Sequence, residues 1–547
     1  MKTAIKYIII LTIITIVSSC NHSNTLGKMI PKDAFLIVHV DGKSLSSKIK
    51  FEDLKNSTWF NKINSDSNTE VWMKTYLQNP DASGIDSHGD MIIFFQKNSN
   101  TNSNIVIEGD IKDLKNFESF TKNFSTGNAS KDGGLNVSTL RNNGAATWND
   151  KKFVFVFNKE FTYLKDSTLA KHAGFSGPMD LVTYSKGLFN LKEDSSMKNN
   201  DHFTTLLNQG GDLHIWQNNE EIIKDAPLPG AIGMLKLDVF IKNNVAASTV
   251  NFEDGKIDVK NSWYGSKELM DVLAKNGGGT IDNQMVKNIP SQDITALISL
   301  HFKPQGIQEL LKLTGMDGLV NIFISQQGFN LDDFVAANKG DILLVASDLK
   351  VKKDSTNDSS KSYHPTLNFL FASSIGDKKS FDKLVLGGKK ISDKMKKDSG
   401  ISYAMNDQFF VLGNDLNTVN KYKTGANNTF TFFDDIKDHP IAGFVDLNKI
   451  LSAIGASNIK DTMHTKVLNA SAKMWDRITF SGGNFADGAM QLHGVVALMD
   501  KKTNSLKQLN NYMDVLSTMV HHKIWHKQFG KDSTINEKGY MDSSMQK

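Results

Sequence analysis

The chain has 547 residues, a formal net charge of +4 and 39% hydrophobic residues, with 33 phenylalanines and a single cysteine. A sizeable core can form, and length alone suggests three or four domains. The balance of 63 basic against 59 acidic residues excludes the strongly basic footprint of a nucleic-acid binder.

The first element is a targeting segment. Lys2 and Lys6 precede an apolar run from Ile8 to Val17, broken only by Thr12 and Thr15, and the small residues Ser18 and Ser19 lead into Cys20. Positive, apolar, small is the order of a secretory signal. The run is shorter than the roughly 20 residues that a bilayer span needs. Val17-Ser18-Ser19-Cys20 reads as a lipobox. The segment resembles the signal of bacterial lipoproteins, which implies cleavage before Cys20, a diacyl group on its sulfur and an acylated new amino terminus. Removing residues 1–19 takes away Lys2 and Lys6, so the formal charge of +4 falls to near +2. With Cys20 lipidated, no thiol remains for a disulfide, a zinc site or a nucleophile. Residues 20–28 form a polar tether with no aspartate directly after Cys20. By resemblance to known lipoprotein sorting, this favours the outer membrane, periplasmic face, with the lipid bilayer as a partner through Cys20. No later run reaches about 18 apolar residues, so no second span is expected.

From residue 29 on, the same signals occur twice in one order. Ile30-Pro31-Lys32-Asp33-Ala34 leads into the apolar run Phe35 to Val40, and Ile289-Pro290-Ser291-Gln292-Asp293 leads into Ile294 to Leu300. A helix-like stretch and a turn follow each: Ser83-Gly84-Ile85-Asp86, then Gln327-Gly328-Phe329-Asn330. Gly89-Asp90 precedes Met91 to Phe95, and Gly340-Asp341 precedes Ile342 to Ala346. Asp113 to Phe124 reads as a helix with Leu114, Phe117, Phe120 and Phe124 on one face; Asp377 to Leu386 repeats this with Phe381, Leu384 and Val385. Asn149-Asp150 precedes Phe153 to Phe157, and Asn406-Asp407 precedes Phe409 to Leu412. Asp254-Gly255 and Asp487-Gly488 sit between apolar runs as hairpin turns, because glycine tolerates the positive φ that a tight turn needs. Helices over Lys267 to Asn276 and from Ser505 to about Gln528 close the two halves.

The expected architecture is α+β: two tandem related halves, 29–280 and 281–530, each a mainly antiparallel sheet covered by helices. They join near Asn276 to Thr280. Alternation over Ile232 to Phe240 and Trp475 to Phe480 reads as strand with one buried face. Lys350 to His364, charged and Ser-rich, reads as a mobile hairpin loop. Residues 531–547 read as a disordered tail.

The lipobox at Cys20, the Ile30-Pro31-Lys32-Asp33-Ala34 lead-in, and Asn79-Pro80 with Ser83-Gly84-Ile85-Asp86 together resemble a family of Bacteroidota-type lipoproteins, domain of unknown function 4836. That resemblance would cover nearly the whole mature chain. It implies location and architecture and carries no catalytic residues.

Motifs with chemistry are incomplete. Gly42-Lys43-Ser44 resembles the end of a phosphate-binding loop, but Ile37 stands where the first glycine belongs; a strand-to-helix turn with Ser44 near a helix start fits better. Gly174-Phe175-Ser176-Gly177-Pro178 resembles a nucleophile elbow with Pro178 in place of its last glycine. His522 and His526 share a helix face at metal-ligand spacing beside His521, but no glutamate accompanies them, and Lys523 and Lys527 disfavour a cation. Asp81, Ser83, Asp86 and Asp90 place oxygens along one loop without a calcium-loop spacing. No cofactor motif stands. The expectation is a membrane-anchored, non-enzymatic envelope lipoprotein that binds or scaffolds an envelope protein or glycan. The alternatives are a hydrolase with carboxylates gathered in a cleft and a carrier of an apolar ligand.

Overall fold

The structure is a computed structural model that describes residues 26–66, 69–98, 102–160, 179–223, 235–353, 363–394, 400–457 and 462–519. The signal segment, Cys20 and the tail lie outside these residues. In the first part of the chain run β1 (Leu36–Asp41), β2 (Asp90–Lys97), β3 (Asn102–Asp110), β4 (Ser130–Asp132), β5 (Leu135–Leu140), β6 (Gly144–Trp148), β7 (Lys152–Glu160), β8 (Leu213–Asn218), β9 (Val245–Glu253) and β10 (Lys256–Tyr264). In the second run β11 (Ile294–His301), β12 (Asn338–Lys353), β13 (Tyr363–Ile375), β14 (Ser402–Met405), β15 (Phe409–Gly413), β16 (Ile441–Asp446), β17 (Trp475–Ala486) and β18 (Ala489–Leu498).

All 18 strands pair into one antiparallel sheet. The sheet is continuous because β10 pairs with β18, from Lys256 opposite Ala497 to Trp263 opposite Met490. Outward from that pair, one arm runs β9, β8, β1, β2, β3, β7, β6, β5, β4. The other runs β17, β16, β11, β12, β13, β15, β14. The Asp-Gly turns form as read: Glu253 faces Lys256 and Ala486 faces Ala489, with Gly255 and Gly488 at positive φ.

Helices cover the sheet on both sides. On one face of the first arm, Val40, Ile93, Phe95, Ile107, Phe153 and Phe155 pack under Leu45, Trp59, Phe60, Trp72, Tyr76, Phe117 and Phe120 from the helices that follow β1 and β3. The Leu114–Lys122 helix is capped by Asp113, whose carboxylate accepts from Asn116 N. Its apolar spacing puts Phe117 against Trp148, Phe153 and Phe155, at centroid distances of 5.8, 5.2 and 5.8 Å. The opposite face is closed in both arms. Ile37, Ile92, Phe94 and Val106 meet Leu181, Leu188 and Phe203; Leu297, Leu343, Val345 and Val411 meet Met285, Val419, Tyr422 and Phe432.

Two local readings are corrected. Leu237–Phe240 is a 3-10 helix and not strand. Its backbone is engaged elsewhere: Lys236 N donates to Thr314 O, Ile241 N to Asp238 O, and Val239 O accepts from Ser266 Oγ. Residues 232–234 of that run lie outside the described set. The loop expected over Lys350 to His364 is shorter, since β12 continues to Lys353 and β13 starts at Tyr363, with Lys350 opposite Thr366. A hairpin end solvated on both sides needs no apolar face, so periodicity could not reveal it.

Candidate binding surface

Side-chain direction alternates along a strand, so the strand registers carry one sheet face across the β10–β18 seam. The face that holds the aromatic core in the first arm continues as Val259, Gly494, Phe480, Gly443, Ile298, Leu344, Phe371 and Leu412. In the second arm the described residues cover this face only in part: Phe480, Phe371 and Leu412 are half-buried. Its buried cluster is Ala337, Ile375 and Phe381. Ile298 and Leu344 stand directly opposite each other on interior strands, yet remain 45% and 40% exposed.

The Leu447–Ser457 helix packs on β12, β13 and β17, but the described helices leave Ile298 and Leu344 open. The Asp317–Ser325 helix buries no residue. Its Leu319, Ile322 and Phe323 are 61–63% exposed. Residues at i, i+3 and i+4 share a helix face, so the three form one apolar stripe. It points away from the core. Leu386 on the Lys378–Lys394 helix is exposed as well. Polar residues are the rule on a solvated sheet face; a contiguous exposed apolar region marks an interaction surface.

The buried polar groups are structural struts. Asp212 is fully buried and accepts from Ser44 Oγ at 2.6 Å, Lys48 Nζ at 2.5 Å and Phe252 N at 2.6 Å. It ties the Gly42–Lys48 helix to β8 and β9. A second chain runs from Asp90 Oδ1 to His39 Nε2 at 3.0 Å, from His39 Nδ1 to His214 Nδ1 at 2.9 Å, and from His214 Nε2 to Gln209 O at 2.8 Å. Both ends are acceptors, so filling these three bonds requires three N–H protons on two rings. The pair then carries one positive charge, balanced by Asp90. Burial, and then the neighbouring His39, push His214 below the ordinary histidine range. Glu108 is buried on the same face, and burial pushes its carboxyl up to about 7 against the attraction of Lys152. The alternation of Ile37-Val38-His39-Val40 could have flagged His39 as inward-facing; nothing in the sequence joins it to His214.

Among the residues singled out in the sequence, Cys20, His521, His522, His526 and Gly174 to Pro178 lie outside the described residues. Gly42-Lys43-Ser44 opens a helix capped by Asp41, which accepts from Ser44 N at 2.7 Å. The oxygens of Asp81, Ser83, Asp86 and Asp90 are spent on different partners: Lys112, Pro80 O, the His88 and Gly89 amides, and His39. No group of three or more His, Cys, Asp or Glu among the described residues is arranged to hold a metal ion, and no described helix is long and apolar enough to cross a membrane. A cleft of about 610 Å³ is lined by Asp33, Asp194 and Tyr184. A glycosidase acid needs a carboxyl raised by its surroundings. Among the described residues the carboxyls raised by burial are Asp86 and Glu108, and neither lines this cleft.

The family model described as "Domain of unknown function (DUF4836)" matches residues 27–466. The chain belongs to this family. The match takes in β1 to β16 and ends within the Thr462–Met474 helix, before β17 and β18. No curated protein and no solved structure matches the chain.

Proposed function

We propose that this DUF4836 protein is a lipid-anchored envelope lipoprotein with no catalytic role, which binds a protein partner through the uncovered apolar face of its second half. The anchor is a thioether-linked lipid on Cys20, and the protein faces the periplasm from the outer membrane. The chain is two tandem copies of one α+β unit, 29–280 and 281–530. The strand order supports this reading: β10, β9, β8, β1, β2, β3 and β7 match β18, β17, β16, β11, β12, β13 and β15 in position from the seam.

The observation that carries the binding role is the contrast between the two arms. One sheet face is sealed by aromatic side chains in the first arm and holds the solvent-facing pair Ile298 and Leu344 in the second. An apolar surface with aromatic and branched residues suits a protein partner better than a glycan. Affinity capture from cross-linked envelopes tests it, comparing the wild type with a Leu319→Asp, Ile322→Asp, Phe323→Asp triple variant. A partner enriched with the wild type and lost with the variant is expected. Recovery of a monomer alone in both samples would count against the role.

A further inference from the structure

The Ser505–Met519 helix straddles the two halves. One side of it is locked to the first half. Leu506, Leu509 and Met513 pack on the aromatic core, Asp514 accepts from Thr58 N and Trp59 N, and Asn510 Oδ1 accepts from Trp59 Nε1 at 2.9 Å. The other side presents Gln508, Asn511, Tyr512, Val515 and Met519 at helical spacing. It faces Lys466, Asn469, Ala470, Lys473 and Met474, a matching stripe on the Thr462–Met474 helix, across a cleft of about 490 Å³. At the floor, Tyr512 OH lies 2.7 Å from Ser471 Oγ, and the Tyr512 ring meets Trp475 edge-on at 5.8 Å.

The chemistry of this cleft has one sign. Its apolar walls are Ala470, Met474, Tyr512, Val515 and Met519, and its charged lining residues are Lys466 and Lys473. Among the described residues, no carboxylate lines it. Neither lysine forms an ion pair with another of the described residues. Asp514 and Asp476, the acids on the adjoining elements, are committed to Thr58, Trp59 and Lys501. Its size falls in the roughly 300–1,000 Å³ range of small-molecule sites. A channel one groove wide between two touching helices accommodates one extended chain.

We propose that the cleft between these two helices binds a single-chain anionic amphiphile of the fatty-acid class, its alkyl chain along Met474, Val515 and Met519 and its carboxylate at Lys466 and Lys473. The two exposed lysines supply attraction for the headgroup at the mouth of the cleft, and the apolar stripes remove the chain from water. The cleft and the uncovered sheet face are separate surfaces, so the two readings stand or fall independently.

The test uses the lipidated full chain in detergent-free nanodiscs and 11-(dansylamino)undecanoic acid as the probe. Saturable enhancement of dansyl emission is expected, with displacement by myristate and poor displacement by neutral tetradecanol. Lys466→Glu with Lys473→Glu should weaken the probe by at least about tenfold through charge reversal. Ala470→Trp, which fills the groove from a half-buried position, should abolish binding while leaving the unfolding midpoint near that of the wild type. Equal probe affinity in the wild type and both variants, no saturable signal in the wild type, or displacement by tetradecanol as effective as by myristate would each overturn the proposal.

Discussion

Replacing Phe323 by alanine should leave stability nearly unchanged, whereas the same replacement at Phe117 should be severe. A phenylalanine side chain offers roughly 200 Å² of surface. Phe117 is fully buried against Trp148, Phe153 and Phe155. Its removal combines lost transfer energy with a cavity in a packed aromatic cluster, about 3–5 kcal/mol. Phe323 is 61% exposed, so roughly 80 Å² of it is covered, an upper limit of about 2 kcal/mol at 25 cal/mol per Å². Alanine keeps the Cβ, and the unfolded chain already covers part of that area, which brings the loss to about 1 kcal/mol or less. Alanine's better helix propensity offsets about half a kcal/mol of the remainder. Urea unfolding followed by tryptophan fluorescence measures both variants. A loss above about 2 kcal/mol for Phe323→Ala, comparable with that of Phe117→Ala, would show that the second-half face is covered and would refute the reasoning.

Asp212→Ala removes the fully buried acceptor of three donors, one of them the half-buried Lys48 ammonium, and should cost about 3–5 kcal/mol in urea unfolding; a loss under about 1 kcal/mol would show that the Ser44, Lys48 and Phe252 bonds are dispensable. Glu108 holds its proton up to about 7 when folded, against 4.5 for the free side chain, so the folded state binds more protons than the unfolded state between these values and stability falls as pH rises across them. Glu108→Gln should flatten that slope and exceed the wild type at pH 8 by up to about 3 kcal/mol, with no gain at pH 4; parallel pH profiles would contradict this. For His214 the direction reverses: its lowered folded value makes the unfolded chain bind more protons as pH drops below the ordinary histidine range, so stability is lost with acidification. A nitrogen-15 NMR titration should find the His214 ring still neutral where a free histidine is protonated, and an ordinary histidine titration would contradict this.

Much of the sheet was legible in the sequence because its signals are local. Asp254-Gly255 and Asp487-Gly488 dictate tight turns, Asn149 and Asn406 accept from the amides that open β7 and β15, and Phe117 and Phe120 recur at helical spacing. The reading failed where local pattern is silent. Leu237–Phe240 alternates like a strand, but the Lys236 amide before it goes to Thr314 O, and Asp238 O closes a local turn with the Ile241 and Lys242 amides. The seam between β10 and β18 joins residues more than two hundred positions apart, which no window can see. The candidate surface was hidden for a related reason. Ile342-Leu343-Leu344-Val345-Ala346 is apolar on both faces and looks like any buried strand; only the missing cover above Leu344 makes it a site. The chain Asp90, His39, His214 likewise depends on β1 lying between β2 and β8.

The central claim is that the second-half face meets a partner while Cys20 holds the protein at a membrane. It is tested most directly by placing a photo-cross-linking phenylalanine analogue at Ile322 in cells that make the lipidated chain. Irradiation should give a discrete higher-mass adduct at Ile322, absent when the analogue replaces the exposed Glu118 of the first half, and lost when Cys20→Ser removes the anchor. No adduct at Ile322, or the same adducts from both positions, would contradict the account.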